Sequence, residues 1–163
     1  MKKSKLLETA KKFGTPAYIY DTTKISSQYK RLINSFNSVK KLQIYYAVKA
    51  LSNLSILKFI NSLGAGIDTV SIQEVIIGIK AGFSPEKIIY TPNSVSIDEI
   101  SKVSKMGVKI NIDNLNLLEQ FGNLYPEIPV CIRINPHVMA GGNNKISVGH
   151  IDSKFGISIH QIP

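Results

Sequence analysis

The chain has 163 residues, 44% of them hydrophobic, which excludes a disordered polypeptide and suffices for a sizeable core within one domain. Its net charge of +9 comes from 18 lysines and only two arginines, Arg31 and Arg133, without the interleaved aromatics that nucleic-acid readers favour; a solvated lysine-rich surface is expected, not a nucleic-acid partner. A single cysteine, Cys131, excludes a disulfide framework or cysteine-based metal site within one chain, and no run has the length of a signal peptide or membrane span, so a soluble, cytoplasmic protein without a membrane partner is expected.

Residues 1–42 read as two helices around the short apolar run 17–20, with Gly14-Thr15-Pro16 as a break before it, and form a lead-in and not a domain of their own. Five β-rich runs follow, at 43–48, 65–70, 88–91, 108–113 and 129–134, starting 20 to 23 residues apart. Amphipathic helical patterns lie between them: Leu54, Ile56, Leu57, Ile60 and Leu63, then Val75, Ile76, Ile79 and Ala81, then Ile97, Ile100, Val103 and Met106. Ser96 with Glu99 reads as a capping box, and Gly64, Gly82, Gly107 and Gly122 fall where helices should end.

Strands and helices alternating at this short spacing predict an α/β protein with parallel strands, either a doubly wound sheet or a (β/α)8 barrel. A doubly wound nucleotide binder carries a glycine-rich fingerprint after its first strand; here Lys49-Ala50-Leu51-Ser52-Asn53 follows, which favours the TIM-type barrel. A complete barrel takes about 250 residues and eight strands. Five strands and the start of a sixth near 155–158 make only five to six βα units, so residues 1–163 are expected to be the N-terminal part of a barrel domain whose remainder is absent.

Lys49 ends the apolar run that starts at Ile44, where nothing nearby needs a charge. Held on the inner face of a buried sheet, a lysine is poorly solvated and its neutral, nucleophilic form becomes accessible for imine chemistry; the plain alternative is a strand-end lysine reaching into water. In barrels the chemistry sits at the C-terminal ends of the strands. Alternation places Tyr45, Ala47 and Lys49 on one face of the first strand, Gly66 and Asp68 on the second, Asn111 and Asp113 on the fourth, and Cys131 and Arg133 on the fifth. Facing inward, Lys49, Asp68, Asn111 and Arg133 would converge on one mouth suited to an anionic, carbonyl-bearing ligand. The structural alternatives are that Asp68 caps the helix near Ile72, that Asn111 or Asp113 caps the helix near Leu115, and that Arg133 pairs with a nearby carboxylate. His137 and His150 flank a long glycine-rich loop and are too few for a metal site; substrate or loop contact is the better expectation, and the pair Gly141-Gly142 lacks the strand-to-helix context of a phosphate cradle.

Six segments occur in the order and spacing of one family: Tyr46-Ala47-Val48-Lys49-Ala50, Gly66-Ile67-Asp68-Thr69-Val70-Ser71, residues 81–88, Asn111-Ile112-Asp113, Ile132-Arg133-Ile134-Asn135-Pro136 and Lys154-Phe155-Gly156-Ile157. From about residue 14 onward the chain resembles the barrel domain of the diaminopimelate decarboxylases, which have the alanine-racemase-like pyridoxal-phosphate fold. The resemblance implies removal of a carboxylate from meso-diaminopimelate to give L-lysine and CO2, the last step of lysine biosynthesis, with pyridoxal 5'-phosphate as cofactor. Lys49 is then the catalytic lysine that holds the cofactor, Asp68 and Arg133 lie around it, and the loop with His150 and Lys154 lies near the substrate. It also implies a full-length homodimer whose later residues supply the rest of the site and a C-terminal β domain. The catalytic cysteine comes from that domain across the dimer interface, so it is not Cys131. Two other readings stay open: a non-catalytic pyridoxal-phosphate module, and a related ornithine, arginine or carboxynorspermidine decarboxylase.

Overall fold

The computed structural model describes residues 2–138, 148–150 and 153–162; Gly141-Gly142 lies outside them. The chain divides into two compact units, Met1–Leu42 and Gln43–Pro163. In the first, α1 (Lys3–Phe13) stops at Gly14 and α2 (Thr22–Ser35) starts at Asp21, whose carboxylate accepts from the amides of Thr23 and Lys24.

The second unit alternates strand and helix: β1 (Tyr45–Ala47), α3 (Leu54–Ser62), β2 (Gly66–Thr69), α4 (Ile72–Lys80), β3 (Ile88–Tyr90), α5 (Ile97–Ser104), β4 (Lys109–Ile112), α6 (Leu115–Leu124) and β5 (Val130–Ile132). The five strands form one parallel sheet in the order β1-β2-β3-β4-β5. Neighbours in sequence are neighbours in the sheet and no reversal point occurs, as a barrel requires and a doubly wound sheet does not. The expected sixth strand is β7 (Ile157–Ser158), which pairs in parallel with β6 (Ile134–Asn135).

The two faces of the sheet differ because side chains alternate along each strand. Ile67, Thr69, Ile88, Tyr90, Ile110 and Ile112 are buried, together with Leu57 and Ile60 of α3, Val75 of α4, Ile100 and Val103 of α5 and Phe121 of α6. On the alternate positions Ala47, Asp68, Ile89 and Asn111 are half-buried while Lys109 and Cys131 are exposed. That second face is the one a barrel of this kind turns inward, its concave side. The Lys109 ammonium donates to the Tyr45 hydroxyl at 2.8 Å, across β2 and β3. Three strand spacings amount to about 14 Å, a gap that side chains leaving a flat sheet perpendicularly would not close.

Helix starts follow local chemistry. Asn53, Ser71, Ser96 and Asn114 each accept from backbone amides of the first turns of α3, α4, α5 and α6. Gly64, Gly82 and Gly107 follow helix ends at positive φ, but Gly122 lies inside α6, a correction to its expected place. The capping box at Ser96 is half formed. Ser96 accepts from the Glu99 amide, whereas the Glu99 carboxylate accepts from the Tyr90 hydroxyl at 2.6 Å and the Ile72 amide at 3.4 Å. Burial, then the hydrogen bond and charge of Glu99, push the Tyr90 phenol well above its ordinary pKa, so it stays a donor and ties β3 to α5.

Gly66 is required where the Tyr45 ring crosses β2: a Cβ there would lie 2.6 Å from two ring carbons and 2.7 Å from the Lys87 carbonyl oxygen. Gly66→Ala is expected to cost about 1–3 kcal/mol in urea unfolding. Gly122→Ala, with nothing within 4 Å of its Cβ and a helical backbone, is expected to gain up to about 1 kcal/mol. Equal stability of the wild type and Gly66→Ala would show that the ring and the carbonyl yield freely.

Candidate active site

β1 ends at Ala47, and Val48–Ala50 make a single 3-10 turn, closed by the Leu51 amide donating to the Val48 carbonyl at 3.0 Å. Val48 is fully buried and anchors that turn. The Tyr46 hydroxyl donates to the Leu51 carbonyl from the other side at 3.3 Å. Lys49 therefore leaves the first strand at its C-terminal end, but its side chain is exposed, not buried on the inner face. The correction has a plain cause: strand alternation ends at Ala47, and the turn carries the lysine out. Among the described residues no hydrogen bond or ion pair engages its ammonium.

Beside it, Asp68 of β2 is the cross-strand partner of Ala47 on one side and Ile89 on the other. The Thr91 hydroxyl donates to Asp68 Oδ1 at 2.7 Å, and Asn111 Nδ2 donates to Thr91 Oγ1 at 3.4 Å. A polar chain thus crosses from β2 to β4. Neither Asp68, Asn111 nor Asp113 caps a helix: Ser71 and Asn114 do. Asp113 is buried and accepts from Asn93 Nδ2 at 2.7 Å and Asn114 Nδ2 at 3.2 Å. Asn111 Oδ1 is buried and has no partner among the described residues, which leaves acceptor capacity on the concave face. Sequence reading passed over Thr91 because β3 was the strand that delivered no polar residue. The signal was present: Thr91 lies two positions beyond Ile89 and so shares its face.

Arg133 stands between β5 and β6. Its amide donates to the Ile112 carbonyl at 2.8 Å, and its carbonyl accepts from the Ile157 amide at 2.7 Å. Its guanidinium lies 4.5 Å from the centre of the Phe155 ring, with no carboxylate paired to it among the described residues, and the Lys154 ammonium lies 5.3 Å from the same ring. Gly156, at φ 83°, lets the chain run over the backbone of Arg133–Asn135, where a Cβ would come within 2.9 Å of the Asn135 nitrogen. Asn135 is buried; its Nδ2 donates to the His150 carbonyl at 3.0 Å and its Oδ1 accepts from the His137 amide at 3.0 Å. One side chain thus ties down both His137 and His150. His150 is held through its backbone, and Lys154 is exposed.

The geometry joins Asp68, Thr91 and Asn111 directly and sets Lys49 at the exit of the neighbouring strand. Arg133 lies beyond β5 at the far side of the row, with Phe155 as its partner. Among the described residues no group of three His, Cys, Asp or Glu side chains is placed to hold a metal ion, and no helix is long and apolar enough to cross a membrane.

A parallel sheet in consecutive order, helices on one face and polar groups at the strand exits on the other, defines part of an alanine-racemase-like barrel, the architecture of the solved decarboxylases it superposes on. Residues 22–162 match the family described as pyridoxal-dependent decarboxylase, pyridoxal binding domain, and the chain belongs to that family, whose cofactor is pyridoxal phosphate. It is 36% identical over 159 residues to the diaminopimelate decarboxylase of Methanothermobacter thermautotrophicus and 34% identical over 161 residues to that of Pseudomonas aeruginosa, covering 96% of this chain in both cases. The diaminopimelate decarboxylase of Helicobacter pylori, solved with L-lysine, superposes with a TM-score of 0.82 at 33% identity, over 95% of this chain and 40% of that one. The chain spans 37% and 39% of the length of the two curated relatives. The residues present fit the family's cofactor: a primary amine at a strand exit, a carboxylate on the next strand and an orphaned buried acceptor on the same concave face.

Asn135→Ala is expected to speed hydrogen exchange of the His137 amide by about tenfold, the loss of one buried hydrogen bond, while Asn135→Asp, which keeps the acceptor, preserves protection at His137. Unchanged exchange in the alanine variant would remove Asn135 as the anchor.

Proposed function

We propose that residues 1–163 are the N-terminal part of the pyridoxal-phosphate-binding barrel of a diaminopimelate decarboxylase, with residues 1–42 as its lead-in. The observation that carries this reading is the placement of Lys49: a free primary amine at the C-terminal exit of β1, one strand from Asp68, in a chain whose relatives are named diaminopimelate decarboxylases. The full-length protein then removes a carboxylate from meso-diaminopimelate, which leaves as CO2 while a proton takes its place, giving L-lysine. It acts as a homodimer in the cytoplasm.

The bound cofactor supplies the electron sink for the carbanion left when CO2 departs. This chain's residues do the rest of what lies in its half of the site. Lys49 Nζ is the amine that would hold the cofactor, through its aldehyde group. Exposure suits that role, because the amine must swing without breaking bonds to the protein, and it places the burden of excluding water on residues outside this chain. Asp68 offers a carboxylate acceptor beside the lysine, and Asn111 an unused amide oxygen. Arg133, its guanidinium steadied on Phe155, supplies fixed positive charge on the far side of the row for an anionic group. Lys154, also above Phe155, and His150, tied to Asn135, stand at the loop that the substrate meets.

With added pyridoxal phosphate the chain is expected to gain a visible absorbance band, and borohydride is expected to fix the pyridoxyl group on Lys49, as read by peptide mass; Lys49→Ala abolishes both. A band of equal strength in Lys49→Ala would move the site to another lysine, and its absence in folded wild type would defeat the reading. The 163-residue chain by itself is expected to release no CO2 from meso-diaminopimelate, since the rest of the barrel is needed; turnover by the pure chain would overturn that.

A further inference from the structure

We propose that Thr91 is a positioning residue of the lysine site: gripped by Asn111, its hydroxyl fixes the Asp68 carboxylate and leaves Asp68 Oδ2 as the acceptor offered to the cofactor. The inference rests on the reading that Lys49 and Asp68 meet pyridoxal phosphate, and adds a residue and a direction to it.

The direction follows from donor and acceptor counting. An asparagine Nδ2 can only donate, so at 3.4 Å it takes a lone pair of Thr91 Oγ1. The hydroxyl has one proton, and Asp68 Oδ1 lies 2.7 Å away to receive it. The chain therefore runs one way, Asn111 to Thr91 to Asp68. Thr91 is suited to hold that line. Its β-branched side chain is stiff about χ1, and its amide donates to the Thr69 carbonyl at 2.7 Å, which clamps its backbone to the end of β2. The residue before it, Tyr90, is fully buried and tied to Glu99 on the opposite face of the sheet. With Oδ1 committed, Oδ2 has no partner among the described residues and is the oxygen left for an N–H or O–H donor. Asp68 is paired with Ala47, two residues before Lys49, so that oxygen belongs to the strand beside the lysine exit. An untethered carboxylate would rotate among several positions, and ordering it would weaken capture of the ligand.

The test titrates pyridoxal phosphate into the 163-residue chain and follows both the visible band and the fraction fixed on Lys49 by borohydride. Thr91→Val keeps the shape and removes the proton; it is expected to raise the half-saturation concentration about tenfold, the range for one hydrogen bond to a charged group. Thr91→Ser, which restores the proton, is expected to stay within about threefold of wild type on the same scale. In the cycle with Asp68→Asn, adding Thr91→Val is expected to cost nothing further, because a residue acting only through Asp68 has nothing left to position. Additive losses, failure of serine to rescue, or a valine variant that binds like wild type would each overturn the inference. Should the valine variant not fold, Asn111→Ala breaks the same chain one step back, and wild-type binding by that variant would also overturn it. Wild type that captures on Lys49 while Thr91→Val matches it defeats this inference alone, whereas wild type that captures nothing defeats the functional reading beneath it.

Discussion

The parallel register of β1 to β4 is the constraint on which the rest of the molecule depends. Pairing Ala47 with Asp68, and Asp68 with Ile89, puts these positions in one row, and the residues between them in the opposite row. The opposite row is largely apolar, with Thr69 as its polar member, and is buried with the helices; the first row faces the concave side and holds Asp68 and Asn111. A slip of one residue in any strand would exchange the two, sending a carboxylate into the core and an isoleucine to the site. The register is held from both sides, by close packing of Ile67, Tyr90, Ile110 and Ile112 behind the sheet and by the Tyr45–Lys109 contact spanning its front.

The same constraint explains why the site is strong in its middle and open at its ends. Asp68, Thr91 and Asn111 lie on three adjacent strands and within reach of one another's side chains, so they form a hydrogen-bonded chain without help from outside. Lys49 and Arg133 belong to the two outer strand exits. Each is placed by backbone, Lys49 by the turn over buried Val48 and Arg133 by amide and carbonyl bonds to Ile112 and Ile157. Their charged ends are left to meet something else. The chain spans 37% of its relative's length, and it holds this amine, carboxylate and guanidinium along one row of strand exits.

Much of this was legible in the residues. The strand period, the capping residue Ser96, and the motifs around Lys49, Asp68, Arg133 and Phe155 are local or pattern features, and the strands and helices alternate as the pattern has them, whereas Gly122 and the cap at Ser71 were not read correctly. What escaped was set by contacts distant in sequence. Glu99 completes no capping box because Tyr90 and Ile72 compete for its carboxylate. Asp68 caps no helix because Thr91, 23 residues on, takes its oxygen. Arg133 lies over the Phe155 ring, 22 residues on. Lys49 is exposed because the strand stops two residues before it.

The division follows the range of the forces. Periodicity, capping and glycine stops act over a few residues, so the sequence alone determined the α/β alternation, the parallel row and, within the strands, the face on which a residue falls. Which donor meets which acceptor is decided only when strands some 20 residues apart are laid side by side, since hydrogen bonds act over about 3 Å and are indifferent to separation along the chain. The tertiary structure therefore decided that Thr91 joins Asp68 to Asn111, which oxygen of Asp68 is spent, and that Lys49 is exposed.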